Sequence, residues 1–242
     1  MKTKPIILCL ISGFPPGFRD GGPTKSIINF VNLLGEDFEI LIVCRDRENE
    51  DKKSYPQVKI DEWNLVGKAR VFYASKKTRN LFGISKLIKK TNYDILYLNS
   101  FFSYNFTILP LLARFLKLVN IKPCVVAPRG EFSKNAINIK KFKKKFFIQL
   151  VQFFKLYHNV YWQASSDYEV VDIIREFKAP KNMIEVAPDL ISPLSIIVNK
   201  IQKRKPGLFR IIFLSRITPM KNLVFLINVL SKVSQPLAFG IF

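Results

Sequence analysis

PIILCLISGFPPGFRDGGPTKSIINFVNLL, residues 5 to 34, decides the fold of this chain. The apolar run PIILCLI predicts a buried strand, and Pro23 suits the first turn of a helix over residues 23–34. Gly21 and Gly22 lie between strand and helix, at the predicted carboxyl edge of a sheet. Glycines there let a ligand approach the backbone, and a helix N-terminus favours an anion. The stretch therefore predicts a β–α unit with a candidate phosphate-binding loop.

The same rhythm of strand and helix continues along the chain. Strands that are apolar on both faces and separated by helices predict parallel β-α-β units. The predicted fold class is therefore α/β, with a Rossmann-like doubly wound parallel sheet. Six further apolar runs predict strands, at 38–44, 57–60, 94–100, 122–128, 159–165 and 183–188, and amphipathic segments predict helices at 75–90, 104–119, 137–157 and 167–177.

A polar stretch with prolines, residues 191–207, interrupts this rhythm and is interpreted as a linker. It separates a domain over residues 1–190 from residues 208–242. There FRIIFLS predicts a new buried strand, and NLVFLINVLSKV predicts a helix after a basic loop. These last residues predict the first β-α unit of a second Rossmann-like domain.

Composition limits the classes of function. Apolar residues make up 48% of the 242 residues, so a sizeable core is expected. The formal net charge of +21 favours anionic partners such as nucleic acid, an acidic membrane face or phosphorylated ligands. Cys9, Cys44 and Cys124 lie far apart in apolar runs, as expected of reduced core residues in a cytosolic protein. With one histidine and no paired cysteines, no metal site is predicted.

Two more loops carry candidate site residues. In VVAPRGEFSKNA (125–136), Arg129 and Glu131 follow a predicted strand, where open α/β sheets bind ligands. The pair could orient a polyol or a phosphate, or form a salt-bridged turn. In SRITPMKN (215–222), Arg216 offers a forked donor for a diphosphate and Lys221 a compact charge near a helix start. Both cations could equally be solvated. The first loop has neither a GxGxxG nor a P-loop pattern, so a flexible loop is its alternative.

The order and rough spacing of these pieces resemble glycosyltransferase family 4 of the GT-B superfamily. In that family an N-terminal Rossmann-like domain binds the acceptor, and a C-terminal one binds a nucleotide-sugar. The resemblance rests on GGP (21–23), PRGEFS (128–133), ASSDYEVVDIIREF (164–177), IEVAP (184–188) and FLSRITPMKN (213–222).

The resemblance implies a hexosyltransferase that retains configuration and needs neither a divalent metal nor a cofactor. Its partners would be a nucleotide-sugar and a glycan or lipid-linked glycan acceptor, in polysaccharide or cell-envelope synthesis. Arg216 and Lys221 match the cations that hold the donor diphosphate and stabilise the leaving nucleotide. Gly21 and Gly22 match the glycine loop that faces the donor phosphates.

The sequence departs from the family at two places. Many relatives carry a His-x-His pair after the strand that here reads DILYLNS, where this chain has Tyr97 and Asn99. Asn99 can bond a sugar hydroxyl but cannot relay a proton. It is assigned to the acceptor side with Arg129 and Glu131. Relatives also place two glutamates beyond the SR loop, and no such pair precedes Phe242, so we expect a truncated donor domain and little transferase activity by this chain alone.

The stretch INIKKFKKKFFIQLVQFFKLYHN (137–159) concentrates lysines and aromatic residues. Two interpretations of the predicted helix are open. Either its apolar face packs in the core and its lysines face water, or the helix contacts an anionic membrane surface. The second reading makes the protein cytoplasmic and peripheral at the inner face of the membrane. The helical period places Phe142, Phe146, Leu150, Phe153 and Tyr157 on one face and Lys140, Lys141, Lys144 and Lys145 on the other.

Two other classes of function remain open. One is a non-catalytic protein that binds sugars or anions, a remnant of the enzyme. The other is a nucleic-acid-binding protein, which the net charge allows. The sequence has no recognised nucleic-acid module, and its lysines are spread along the chain.

Overall fold

The computed structural model describes residues 4–192, 209–215, 217, 218, 221–235 and 237–241. The chain divides into two compact units, Met1–Ser192 and Pro193–Phe242. The division falls inside the predicted linker, most of which lies outside the described residues.

Among the described residues, the first unit has one sheet of eight strands. These are β1 (Ile6–Leu10), β2 (Glu39–Arg45), β3 (Trp63–Val66), β4 (Ala69–Ala74), β5 (Ile95–Asn99), β6 (Cys124–Ala127), β7 (Tyr161–Ala164) and β8 (Ile184–Val186). Their order is β3-β4-β2-β1-β5-β6-β7-β8, and neighbours are parallel except for β3 and β4. The chain winds outward from β1 in both directions, which confirms the predicted doubly wound α/β sheet.

Helices connect most of the parallel strands. Short connections include a π-helical turn at Tyr104–Ile108 and a 3₁₀ turn at Lys181–Met183. The helices are α1 (Gly22–Leu34), α2 (Leu81–Lys90), α3 (Leu109–Phe115), α4 (Lys134–Asn138), α5 (Lys141–Phe153) and α6 (Asp167–Phe177).

Hydrophobic cores lie on both faces of the sheet. Leu8 and Leu10 of β1 point into one cluster, whereas Ile7 and Cys9 point into the other, and all four are buried. A strand alternates its side chains between the two faces, so a strand that is apolar throughout must be covered on both. This explains why β1 and β2 read as unbroken apolar runs.

One predicted strand is wrong, and a hairpin was missed nearby. Residues 57–60 form a loop in which three of the four side chains are exposed, so the segment has no face to bury. The chain instead makes the antiparallel hairpin β3–β4. Gly67 begins its two-residue turn with φ of +59°, a conformation that glycine adopts without strain.

The predicted helix over 137–157 is also corrected. It is split into α4 and α5 at Ile139 and Lys140, where Lys140 has φ of +61° and cannot continue a right-handed helix. The predicted helix over 104–119 begins with the π-helical turn and ends at Phe115. Helix α6 agrees with its prediction at both ends.

The second unit contains β9 (Phe209–Phe213), α7 (Leu223–Leu230) and β10 (Leu237–Ile241). Strands β9 and β10 are parallel neighbours, so the described part is a β-α-β unit. The prediction of a single β-α unit missed the final strand, whose short run LAFGI contains a glycine.

Candidate functional site

The main candidate site lies where the strand order reverses. β1 and β5 are neighbours, and the chain leaves them toward opposite edges of the sheet. Connecting loops diverge at such a point, which leaves a crevice at the carboxyl ends of the strands. A cleft of about 930 Å³ lies there, between the loop after β1, the start of α1, the loop after β6 and the segment after β8. We call it the switch-point cleft.

Gly21 and Gly22 of the first loop line this cleft. The sequence predicted that they lie at the carboxyl edge of the sheet. Gly21 has φ of 74° and ψ of −135°, a conformation that is essentially confined to glycine. Gly22 begins α1, and a Cβ added there would meet nothing within 4 Å. The backbone at the start of α1 is therefore open to an anion, which the first-turn N–H groups and the helix dipole favour.

The first loop is held in place by buried charges that sequence reasoning missed. Glu48 is 3% exposed and accepts hydrogen bonds from the backbone N–H groups of Phe18, at 2.7 Å, and Arg19, at 3.2 Å. The guanidinium of Arg45 pairs with both carboxylate oxygens of Asp20 at 2.6 Å. These contacts give the loop a defined shape. The run RDRE (45–48) directly after β2 was the available signal.

Arg129 is the buried cation of the switch-point cleft. It has φ of +56°, and its side chain is 7% exposed. Its Nη2 donates to Asn99 Oδ1 and to Tyr97 Oη, both at 2.7 Å, and its Nη1 forms an ion pair with Asp189. Asn99 is 1% exposed and donates its Nδ2 to Cys9 Sγ at 3.3 Å. Asn99 therefore orients Arg129 from behind.

The structure brings Arg129 and Asn99 together but separates both from Glu131. Glu131 accepts a hydrogen bond from Ser100 Oγ at 2.7 Å, from the N–H of Phe102 at 3.2 Å and from the N–H of Phe101. Burial raises the pKa of this carboxyl group. The sequence left open whether Arg129 and Glu131 orient a ligand or form a salt-bridged turn. The salt bridge between them does not form, because Arg129 pairs with Asp189. Glu131 instead secures the loop after β5.

A second buried glutamate, Glu169, was missed. Its Oε1 accepts the N–H of Gly130 at 2.6 Å, and its Oε2 accepts the N–H and Oγ of Ser165 at 2.7 and 2.6 Å. Ser166 caps α6, so Glu169 stands at the third helical position, the pattern of a capping box. That S-x-x-E spacing was visible in the sequence. It did not reveal that the carboxylate reaches across to Gly130 and ties the loops after β6 and β7 together.

Asp189 was also missed, and no local signal points to it. The segment after β8 crosses to α1, where Asn29 Nδ2 donates to the carbonyl of Leu190 at 2.8 Å. This contact and the pairing of Asp189 with Arg129 join residues far apart in the sequence. The segment thereby forms one wall of the switch-point cleft.

The second unit holds the predicted diphosphate loop. Lys221 is exposed, its N–H donates to the carbonyl of Thr218 at 3.0 Å, and it stands two residues before α7. Arg216 lies outside the described residues. The pairing of these two cations, and their approach to Gly21 and Gly22, stay predictions.

Helix α5 exposes the apolar face that its helical period predicts. The exposed fractions are 90% for Phe142, 67% for Phe146, 42% for Leu150 and 80% for Phe153, whereas Ile148 and Val151 on the other side are buried. Tyr157 lies beyond the helix, is buried, and donates its hydroxyl to the carbonyl of Phe101 at 2.7 Å. The first of the two readings of this helix, an aromatic face in the core, is therefore wrong.

The four candidate lysines do not all face solvent. Lys140, Lys141 and Lys145 are exposed. Lys144 instead lies over the ring of Phe102, with Nζ 5.0 Å from the ring centroid, and burial lowers its pKa. Its Nζ also donates to the carbonyl of Ala136 at 2.7 Å, so Lys144 joins α4 to α5 rather than the exposed group.

Within the described ranges, no group of three or more His, Cys, Asp or Glu side chains is placed to hold a metal ion. None of the helices in these ranges combines the length and apolarity needed to cross a bilayer. All three cysteines are buried, and burial raises the pKa of Cys9 and of Cys124 to about 12.

Among solved structures, the chain is similar to the lipopolysaccharide outer core galactosyltransferase WaaB in its apo form. The TM-score is 0.53 at 13% sequence identity, over 98% of this chain and 60% of that one. At this identity the likeness shows the fold alone, a Rossmann-like α/β fold, and the chain spans 60% of the length of that structure. No protein-family model matches the sequence, and no curated protein matches it either.

Proposed function

We propose that the protein is a glycosyltransferase that transfers a sugar from a nucleotide-sugar to a glycan or lipid-linked glycan. The observation that carries this is the switch-point cleft of a GT-B-like sheet, where an open helix N-terminus meets the buried guanidinium of Arg129. The helix N-terminus suits an anionic group, and Arg129, paired with Asp189, is a cation of the cleft lining that could exchange this partner for a ligand. The family resemblance of the loops supports the same class of substrate.

In this proposal the chain's residues divide between the two substrates. Gly21 and Gly22 let the donor phosphates approach the start of α1. Arg216 and Lys221 hold the diphosphate, which leaves with the electron pair of its bond to the anomeric carbon, so they stabilise its growing charge. An acceptor hydroxyl oxygen forms the new glycosidic bond to the anomeric carbon and gives up its proton to the departing diphosphate. Arg129, held by Asn99, serves the acceptor side. Retention of configuration and independence from metal ions rest on the resemblance.

Calorimetric binding of UDP, GDP and their sugar conjugates tests the donor assignment. We expect binding by the wild type and a loss of about tenfold or more for Lys221→Ala, because one charge-assisted contact to a diphosphate is removed. Lys232→Ala, another exposed lysine of the second unit, is the matched control. Failure of every nucleotide to bind, together with salt-sensitive binding of DNA or RNA, would favour the nucleic-acid alternative.

We further propose that α5 rests on an anionic membrane surface. Phe142, Phe146 and Phe153 present exposed aromatic rings, and Lys141 and Lys145 flank them. Aromatic residues insert at the bilayer interface, and each lysine near anionic lipid adds about 1 kcal/mol. A lipid-linked acceptor would be reached from such a position, at the inner face of the membrane.

Flotation with vesicles tests this surface. The wild type should float with vesicles of phosphatidylcholine and phosphatidylglycerol and much less with phosphatidylcholine alone. Lys141→Glu with Lys145→Glu should abolish flotation. Lys52→Glu with Lys53→Glu makes the same charge change at exposed positions away from α5 and should leave it intact. Equal flotation on neutral vesicles would contradict the proposal.

A further inference from the structure

A second cleft shares no lining residue with the switch-point cleft. It has a volume of about 810 Å³ and is lined by residues of the hairpin β3–β4 and of α2. Ile6 and Glu39, the first residues of β1 and β2, line it at the amino edge of the sheet, whereas Lys77 and Thr78 follow the carboxyl end of β4, so the cleft runs along the sheet. The switch-point cleft lies at the carboxyl edge. We call this second cleft the hairpin groove.

The floor of the hairpin groove is apolar and aromatic. Leu41 and Phe72 are buried there, and the half-buried Trp63 packs edge-on against Phe72 with ring centroids 5.4 Å apart. The guanidinium of Arg70 lies over the Trp63 ring, 5.6 Å from its centroid, and the Arg70 side chain is 52% exposed. Stacking on an aromatic ring fixes the planar fork, and because Glu39 pairs only with Nη1, the other N–H groups can still meet a ligand.

The rim of the groove carries an excess of positive charge. Lys86 and Lys90 are exposed one turn apart on α2, and Lys77 is exposed on the loop before it. In the described part of the chain, no acidic group lies within ion-pair distance of these three lysines. The two acids of the groove are engaged: Glu39 pairs with Arg70 at 3.5 Å, and Asp61 accepts the N–H of Ser75 at 2.9 Å. Four cations against two acids leave the lining net positive.

We propose that the hairpin groove binds an acidic oligosaccharide, a chain of sugars that carries carboxylates at intervals. The apolar floor suits the C–H faces of sugar rings, while Thr78, Thr91 and Asn92 at the rim offer partners for hydroxyl groups. The fork of Arg70 matches a carboxylate, and the lysines supply further charge. The class of ligand draws on the proposed glycosyltransferase function, since a glycan acceptor several sugars long can contact the protein at more than one site. The groove itself is separate from the switch-point cleft.

Tryptophan fluorescence gives a direct readout. The chain has two tryptophans, and Trp162 is buried at 2% exposure, so a ligand in the groove should change the emission of Trp63. Titration with tetragalacturonic acid should give a saturable change that weakens with salt, whereas neutral maltotetraose should give none. Trp63→Phe should remove the signal while calorimetry still detects binding.

The matched variants test the charge assignment. Lys86→Gln with Lys90→Gln should weaken tetragalacturonate binding about tenfold or more, because two charged contacts are lost. Lys52→Gln with Lys53→Gln removes the same charge at exposed positions outside the groove and should have no effect. Wild-type affinity in the first variant, no binding by the wild type, or equal binding of maltotetraose or of a tetraglutamate peptide would overturn the proposal. Nucleotide-sugar binding by the first variant should be unchanged, which separates this test from that of the proposed function.

Discussion

Two buried glutamates beside the switch-point cleft should differ in how much stability the same substitution costs. Each accepts three hydrogen bonds, and glutamine has nearly the same shape. Glutamine, however, replaces one acceptor oxygen by an NH₂ group that only donates. The outcome depends on whether one of the three partners can become an acceptor.

Glu169→Gln should be strongly destabilising. Backbone N–H groups face both oxygens of Glu169, from Gly130 at 2.6 Å and from Ser165 at 2.7 Å. Either orientation of the glutamine leaves one backbone N–H, that of Gly130 or that of Ser165, facing an NH₂ group on a buried side chain, at a cost of about 1–3 kcal/mol. The remaining bonds lose their charge, about 1 kcal/mol more. We therefore expect a loss of about 2–4 kcal/mol in the free energy of unfolding.

Glu131→Gln should be tolerated. The NH₂ group can take the position that faces Ser100 Oγ, because a hydroxyl can also accept a hydrogen bond. The oxygen then keeps the N–H groups of Phe101 and Phe102. Removing a buried charge offsets part of the stability that the weaker hydrogen bonds lose. The free energy of unfolding should therefore change by no more than about 1 kcal/mol.

Urea unfolding followed by fluorescence and circular dichroism measures both values. Glu185→Gln, at an exposed position on β8, is the control and should change stability by less than about 0.5 kcal/mol. Equal stabilities of the Glu169→Gln and Glu131→Gln proteins would refute the reasoning, because their chemistry is identical and only their partners differ.

Three further outcomes are expected. Gly21→Ala should cost about 1–3 kcal/mol through backbone strain at φ of 74°, and it should weaken nucleotide binding, whereas Gly22→Ala should be nearly neutral in thermal unfolding. Burial raises the pKa of Glu131, so its contribution to stability is complete below the ordinary pKa of a glutamate and is lost as pH rises through the raised pKa. Relative to the wild type, Glu131→Gln should therefore gain stability from acid to neutral pH in urea titrations, and a constant difference would contradict this. A thiol reagent such as Ellman's should label the native protein slowly and the unfolded protein fully at Cys9, Cys44 and Cys124.

Much of the fold could be predicted because the signals are local. Unbroken apolar runs predicted β1 and β2, and an amphipathic segment predicted α6 at both of its ends. Strand β3 was missed because it is short and has no buried residue, whereas β4 was missed although five of its six residues are buried. In α5 the helical period located the aromatic stripe, but period alone cannot say which side meets the core.

The sequence by itself determined the alternation of strands and helices, the doubly wound class and the glycines at the first helix start, because these depend on neighbouring residues and on periodicity. The tertiary structure alone decided the contents of the site. Arg129 meets Asp189, Glu169 meets Gly130, and Asn29 meets Leu190 only because the strand order brings distant loops to one edge of the sheet. The tertiary structure also decided that the Glu131 side chain is buried and that Phe142, Phe146 and Phe153 of α5 are exposed. Burial depends on what packs against a residue and not on the residue itself.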